Sequence, residues 1–150
     1  MTNVRCKGGK EIDLLAVNPR TGEKYHVEAR VATTSSFALR LKDTYTKSGI
    51  PHRKGLDFFK KAKFDHPIVK EKIREIFGNE KYSKILVVYQ THPSLSRKDA
   101  EQFDIQIWFI ADLIRGLKKR GQMKGSRDDV LRVIELIRLV EEYEKKHKHA

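Results

Sequence analysis

The residues best suited to chemistry in this sequence are two acids and an arginine near its start. Asp13 lies in one apolar-rich run, and Glu28 and Arg30 lie in the next. Alternate residues of a strand share a face, so Glu11 faces the same way as Asp13, and Glu28 the same way as Arg30. Two carboxylates held together repel each other unless a cation lies between them. Mg²⁺, which prefers a few carboxylate oxygens plus water and substrate phosphate, suits such a pair.

A β-hairpin is the element that must position these side chains. Residues 11–17 and 25–31 read as strands, and the segment Asn18–Lys24 between them contains Pro19 and Gly22, which are typical turn residues. The register that this loop suggests makes Asp13 and Glu28 neighbours across the hairpin. An exposed ion pair with Arg30 is the alternative, but both acids lie inside apolar strands, where an unpaired charge is costly to bury.

Strands and helices alternate along the rest of the chain. Further strands are predicted at 85–89 and 105–110. Helices are predicted from Ser35 or Ser36 to Tyr45, from an N-cap at Asp65 to Gly78, from Ser96 to Phe103, from Asp112 to Arg120, and over 127–147. The pattern predicts an α/β fold with one domain over residues 1–150. Phe58, Phe59, Tyr45 and Trp108 are expected in its core.

The order of these elements resembles the PD-(D/E)XK nucleases. The similarity starts from Gly-Lys-Glu-Ile-Asp13-Leu-Leu-Ala-Val, a turn, and Tyr-His-Val-Glu28-Ala29-Arg30-Val. It continues with the strand at 85–89 and with Ile-Gln-Ile-Trp-Phe-Ile-Ala-Asp-Leu-Ile from position 105, and covers roughly residues 8–120. Within the superfamily the chain looks most like archaeal and bacterial restriction-endonuclease-like and Holliday-junction-resolvase-like proteins.

The resemblance implies a fold and a site. The fold is a restriction-endonuclease-like central mixed sheet flanked by helices. Asp13 and Glu28 would bind Mg²⁺ or Mn²⁺ together with the backbone carbonyl of Ala29, and the bound metal polarises a phosphodiester and activates water. Arg30 would be the third catalytic residue.

The chain departs from the family pattern in two places. Arg30 stands where the family has lysine; arginine keeps the charge and binds phosphate, but it does not act as a base. Arg40 or Lys42, reaching in from the following predicted helix, is a candidate replacement. Many relatives also carry an earlier helix that contributes a glutamate, and Glu11 is a candidate for part of that role. His26, on the face of Glu28, is a further candidate contact.

The charge balance favours a polyanionic partner. Thirty-two Lys and Arg against twenty Asp and Glu give a formal net charge of +12. An anionic membrane surface and the ion-pair-rich surface of a heat-stable protein are the alternatives. Bases interleave with Tyr45, Phe58 and Phe59 in the segment that contains Lys60, Lys61 and Lys63. The expected nucleic-acid-binding residues are Lys10, Arg40, Lys42, Lys47, Arg53 and Lys54.

The cysteine count, the hydropathy and the last predicted helix bear on the cell compartment and on the oligomeric state. One cysteine, Cys6, allows no internal disulfide, and no apolar run reaches the length of a membrane span, so a cytoplasmic protein is expected. The broad apolar stripe of the predicted helix at 127–147 is compatible with burial or with a homodimer.

Three functions therefore remain open. The leading hypothesis is a metal-dependent DNA endonuclease, with DNA favoured over RNA. The second is a catalytically inactive nuclease-fold module that binds DNA or RNA. The third is an interaction or structural protein whose long helix docks on a partner.

Overall fold

A computed structural model of the chain describes residues 1–30, 38–45, 47–49, 51–95 and 97–119. The described strands are β1 (Thr2–Arg5), β2 (Glu11–Val17), β3 (Lys24–Arg30), β4 (Thr44–Tyr45), β5 (Pro51–Arg53), β6 (Ser83–Val88) and β7 (Gln106–Phe109). The described α-helices are α1 (Leu56–Phe59), α2 (Pro67–Phe77), α3 (Arg97–Gln102) and α4 (Ile110–Lys119).

Five of the strands form one mixed sheet in the order β1-β2-β3-β6-β7. The pairs β1–β2 and β2–β3 are antiparallel, whereas β3–β6 and β6–β7 are parallel. β3 therefore lies in the middle of the sheet, between an antiparallel and a parallel neighbour. Together with the helices, this sheet confirms the predicted α/β class.

The predicted hairpin is confirmed as β2–β3. Its ladder runs from Leu14 opposite Val27 to Val17 opposite Lys24. In the connecting loop the Asn18 side chain accepts a hydrogen bond from the backbone N–H of Arg20, and Gly22 adopts a φ of 73°. A positive φ favours glycine, which is why the turn chemistry of this loop located the hairpin correctly.

A π-helical turn, Lys60–Phe64, continues directly from α1. Its i→i+5 bond joins the Asp65 N–H to the Lys60 carbonyl at 2.7 Å. α2 then begins with Pro67, and the N-cap residue is His66. The predicted N-cap, Asp65, is therefore wrong by one residue, because its carboxylate is engaged by Lys70 and Lys84 instead.

Two hydrophobic clusters fix these elements against the sheet. The first joins α1, the π turn, α3 and the sheet, and its buried members are Leu39, Leu56, Phe59, Phe64, Leu86, Val88, Leu95, Ala100 and Ile105. The second joins α2 to β1 and β2, and its buried members are Val4, Ile12, Leu15, Val69, Ile73 and Phe77. The π turn is thus held by a buried phenylalanine, Phe64, at its last position.

The predicted helix from Ser35 or Ser36 to Tyr45 is wrong over its described part, residues 38–45. Leu39 instead forms a parallel bridge with Thr91, and β4 pairs antiparallel with β5. The segment before β4 also packs on the start of α1, because the Arg40 carbonyl accepts the Leu56 N–H at 2.8 Å. Backbone pairing on both sides therefore replaces the helix.

The aromatic residues divide between core and surface. Phe59 is buried and Phe58 packs against the first cluster, as predicted. Tyr45 is 59% exposed and Trp108 is 39% exposed, so the prediction of a core position is wrong for both. The strand neighbours of Trp108 pack on the first cluster, and alternation turns Trp108 to the opposite face.

The chain divides into two compact units, Met1–Phe109 and Ile110–Ala150. Of the second unit, the structure describes only α4, and the predicted helix at 127–147 lies outside the described residues. The single-domain organisation and the homodimer, which both involve that segment, stay predictions. Within the described ranges, no helix is long and apolar enough to cross a membrane.

Candidate functional site

Asp13 stands just before the first pair of the β2–β3 ladder, where its side chain binds the neighbouring strand. Its Oδ2 accepts a hydrogen bond of 2.8 Å from the backbone N–H of Ala29. The Asp13 carboxylate thus accepts a backbone N–H of β3 that lies beyond the last β2–β3 pair. This contact joins Asp13 to the residue that directly follows Glu28.

Glu28 is a buried carboxylate whose two oxygens have different partners. It is 1% exposed. Its Oε1 lies 3.0 Å from Nε2 of His26, and its Oε2 lies 2.7 Å from the ammonium of Lys63. His26, which was predicted on the same face as Glu28, therefore contacts the carboxylate of Glu28.

Lys63, on the π turn, connects the acids of the hairpin. Besides Glu28, its Nζ lies 3.8 Å from Oδ1 of Asp13 and donates a hydrogen bond of 2.9 Å to the backbone carbonyl of Glu11. Since a buried carboxylate without a partner is costly, the ammonium stabilises Glu28 in particular. One lysine thus contacts three residues of the hairpin, Glu11, Asp13 and Glu28.

The carboxyl group of Asp13 remains short of positive charge despite this lysine. Desolvation raises the pKa of Asp13 above its usual value, and the charges of Glu28 and Glu11 raise it further. The Ala29 N–H and Lys63 oppose this rise but do not cancel it. The site therefore favours a proton or a further cation beside Asp13.

Lys63 is the functional candidate whose role sequence reasoning missed. It was grouped with the bases of a possible nucleic-acid groove, and Arg40 and Lys42 were preferred as replacements for the family lysine. The helix expected to carry those two residues is absent from the described segment 38–45. Lys63 lies three residues after Lys60 in a helical run, and no local pattern links it to a distant hairpin.

Arg30 stacks on an aromatic ring. Its guanidinium lies 5.8 Å from the centroid of the Phe59 ring, in the range of a cation–π contact. Burial lowers the pKa of this guanidinium, which nevertheless keeps its charge at neutral pH. Arg30 therefore places a fixed positive charge on the strand that carries Glu28.

The predicted nucleic-acid-binding residues are spread over four short stretches of the chain. Lys10 directly precedes β2, and Arg40 and Lys42 lie in the stretch that packs on the start of α1. Lys47 is exposed in the connection between β4 and β5. Arg53 is the last residue of β5, and the ammonium of the next residue, Lys54, lies 4.0 Å from the centroid of the Phe58 ring.

No family model, curated protein or solved structure matches this chain. The resemblance of residues 8–120 to the nucleases therefore stays a prediction. Any functional assignment depends on the geometry of the site itself.

The donor atoms at the site suit a hard divalent cation in type. Asp13 and Glu28 offer carboxylate oxygens, and the carbonyl of Ala29 is adjacent in the chain. Within the described part of the chain, no group of three or more His, Cys, Asp and Glu side chains could hold a metal ion. Mg²⁺ needs only one or two carboxylates when water and substrate phosphate complete its shell, so the pair fits that ion better than zinc.

Proposed function

We propose that this protein is a metal-dependent endonuclease of the restriction-endonuclease-like kind, which hydrolyses phosphodiester bonds in DNA. The observation that carries the proposal is the joint contact of Lys63 with Glu28 and Asp13. Two acids and one lysine at neighbouring strands of a mixed sheet are the set of side chains that the resemblance implies, with the lysine supplied from a later turn.

In this proposal Asp13, Glu28 and the Ala29 carbonyl hold Mg²⁺ or Mn²⁺. When bound, the metal polarises the phosphodiester and lowers the pKa of water. The hydrogen bond from the Ala29 N–H orients the Asp13 carboxylate. Burial keeps bulk water away from the Glu28 carboxylate and so strengthens its interaction with any cation.

Lys63 would take the role of the family lysine. Its ammonium has three donors and is able to move from the acids to a phosphate oxygen, where it would stabilise the charge that develops during hydrolysis. A lysine amine that has lost its proton can also act as a base, which a guanidinium does not. Arg30 would then bind phosphate as a fixed charge and would not need to act as a base.

The net charge of +12 supports a nucleic acid as the substrate. Preference for DNA over RNA comes from the resemblance to restriction-endonuclease-like and resolvase-like proteins. The exposed positions of Lys42, Lys47 and Lys54 leave these side chains accessible to phosphates.

A non-catalytic module that binds DNA or RNA is the second candidate. The same ion pair favours it, because an ammonium 2.7 Å from Glu28 already neutralises the buried carboxylate without a metal. In that case the acids and Lys63 would serve the stability of the fold, and only the basic surface would act on nucleic acid.

A cleavage assay with matched variants separates the two candidates. Supercoiled plasmid and a branched DNA are incubated with the protein and Mg²⁺, Mn²⁺ or EDTA. The variants are Asp13→Asn, Glu28→Gln and Lys63→Met, with Lys61→Met as the control because Lys61 is an exposed lysine of the same turn.

The nuclease predicts cleavage that needs a metal, persists in Lys61→Met and falls by about 100-fold or more in the three site variants, in line with the loss of a metal ligand or an electrostatic stabiliser. Binding of both DNAs without cleavage under either metal would overturn the enzyme and support the binding module.

A further inference from the structure

We infer that His26 is a positioning residue for Glu28: its buried imidazole fixes the carboxylate that the proposed function assigns to the metal. This inference rests on the proposed function, in which Glu28 is a ligand. His26 does not reach the substrate in this scheme and acts only through Glu28.

The side chains of His26 and Glu28 form a buried pair on one face of β3. They are two positions apart in the strand, so both project to the same side of the sheet. His26 is 0% exposed, and its Nε2 lies 3.0 Å from Glu28 Oε1. Because both groups are buried, water competes little for this hydrogen bond.

The contact with His26 fixes the orientation of the Glu28 carboxylate. The terminal torsion of a glutamate is broad, so a single contact does not define the plane of its two oxygens. Here one oxygen is bound to His26 and the other to Lys63. With both oxygens held, the carboxylate plane is defined before any ligand arrives.

The imidazole is itself held by aromatic rings. The Phe64 ring meets it edge-on, with centroids 4.7 Å apart and planes at 61°, and the Tyr82 ring lies 6.3 Å away. Phe64 directly follows Lys63 in the chain. The π turn therefore supplies both the ring that packs on His26 and the ammonium that binds Glu28.

Packing alone does not account for a histidine at this position. Since an ionised carboxylate only accepts hydrogen bonds, the contact with Glu28 requires a proton on Nε2 of His26. The buried Nδ1 of the same ring has no hydrogen-bond partner among the residues that the structure describes. An apolar side chain would fill the space without that penalty, so the benefit of His26 lies in its contact with Glu28.

Two substitutions separate this role from packing. His26→Gln keeps an N–H donor near the position of Nε2, whereas His26→Leu fills the space without a donor. Tyr82→Phe is the control, because it removes a hydroxyl from the surroundings of His26 and leaves the donor to Glu28 in place. Mn²⁺ affinity of the full chain is measured by calorimetry, and thermal unfolding confirms that each variant is folded.

We expect His26→Leu to weaken Mn²⁺ binding by about 10- to 100-fold, as loss of a partner that orients a metal ligand typically does. His26→Gln is expected to restore most of the affinity, and Tyr82→Phe to leave it unchanged. If wild type binds Mn²⁺ and His26→Leu binds it equally well, the positioning role is wrong while the proposed function stands.

A second readout does not involve a metal. Long-range ¹H–¹⁵N correlation spectra report the tautomer of His26, which is expected to carry its proton on Nε2. A ring that carries its proton on Nδ1 alone, with Nε2 unprotonated, would overturn the inference whatever the metal affinity. A wild-type chain that neither binds Mn²⁺ nor cleaves DNA would instead remove the proposed function and, with it, the role that depends on it.

Discussion

The ammonium of Lys63 lies 2.7 Å from a carboxylate oxygen of Glu28, although β4, β5 and α1 lie between the two residues in the chain. The pair brings a cation from a π turn to the central strand of the sheet. This ion pair affects both the free energy of unfolding and the ability of Glu28 and Asp13 to bind another cation.

Removing this cation should destabilise the fold. Lys63→Met leaves Glu28 buried without a charge partner, which costs about 3–5 kcal/mol for a fully buried pair. A quarter of the Lys63 side chain is exposed, so water will compensate in part and we expect a loss of about 1–3 kcal/mol. Urea unfolding at neutral pH measures the change.

Lys61→Met is the control for this experiment, and it should alter stability by no more than about 0.5 kcal/mol, as exposed substitutions usually do. If the metal proposal is right, Mg²⁺ or Mn²⁺ should stabilise Lys63→Met more than wild type, since the variant offers two acids without an amine. An equal loss in both lysine variants would contradict the importance of the pair.

Replacing Asp13 by asparagine should stabilise the metal-free protein at neutral pH. Because the pKa of Asp13 is raised above 3.8 in the folded state, the folded protein holds this proton more tightly than the unfolded chain, and ionisation opposes folding. Asparagine keeps an acceptor for the Ala29 N–H but carries no charge. Since more than a third of the side chain is exposed, the gain should be a few tenths to about 1 kcal/mol.

The pH dependence has a definite sign. The advantage of Asp13→Asn should be greatest above the raised pKa and should disappear as the pH falls through it toward 3.8, where aspartic acid becomes neutral. Unfolding curves of both proteins across this range, in EDTA, test the prediction. A stability difference that does not change with pH would show that charge is not its cause.

Gly55 should tolerate no side chain. A Cβ built at this position would lie 2.4 Å from the backbone carbon of Lys42 and 2.9 Å from the backbone nitrogen of Asp43. Backbone atoms cannot move aside as a flexible side chain can, so Gly55→Ala should cost about 2 kcal/mol or more, as overpacking does. Thermal unfolding measures the loss, and Lys54→Ala, at the exposed neighbouring position, should cost much less.

Nucleic-acid binding should become less dependent on salt when basic side chains of the expected binding surface are removed. Lys47→Gln and Lys54→Gln should each reduce the slope of log affinity against log salt by about one, for every DNA sequence alike. Lys72→Gln is the comparison, because this ammonium is paired with Glu75 on α2. An unchanged slope in the first two variants would place the DNA on another surface.

The hairpin was predictable because its information is local. The alternation of residues and the loop with Pro19 and Gly22 predict two paired strands. The register of this pairing brings Asp13 beside Glu28 and Ala29. The strand at Ile85 was equally clear, since its continuous apolar run is typical of a strand covered on both faces.

The predictions are wrong where the sequence is compatible with both a helix and a strand and where long-range pairing decides between them. Leu41 and Tyr45 have a helical spacing, whereas Leu39 and Leu41 have a strand spacing. The bridge from Leu39 to Thr91 shows that Leu39 pairs as extended chain. Lys63 could not be assigned because its position depends on the packing of the neighbouring Phe64 in the core, which involves residues distant in the sequence. Trp108 was misjudged from its apolar neighbours, which occupy the other face of β7.

The middle position of β3 gives the parts of the site unequal freedom. Glu28 belongs to a strand that is bonded to β2 on one side and to β6 on the other, so its backbone cannot shift without opening the sheet. Lys63 is joined to the π turn by a chain of single bonds. The backbone that carries Glu28 is therefore rigid, whereas the Lys63 ammonium is able to move. An arriving cation or phosphate would displace this ammonium without any rearrangement of the strand that carries Glu28.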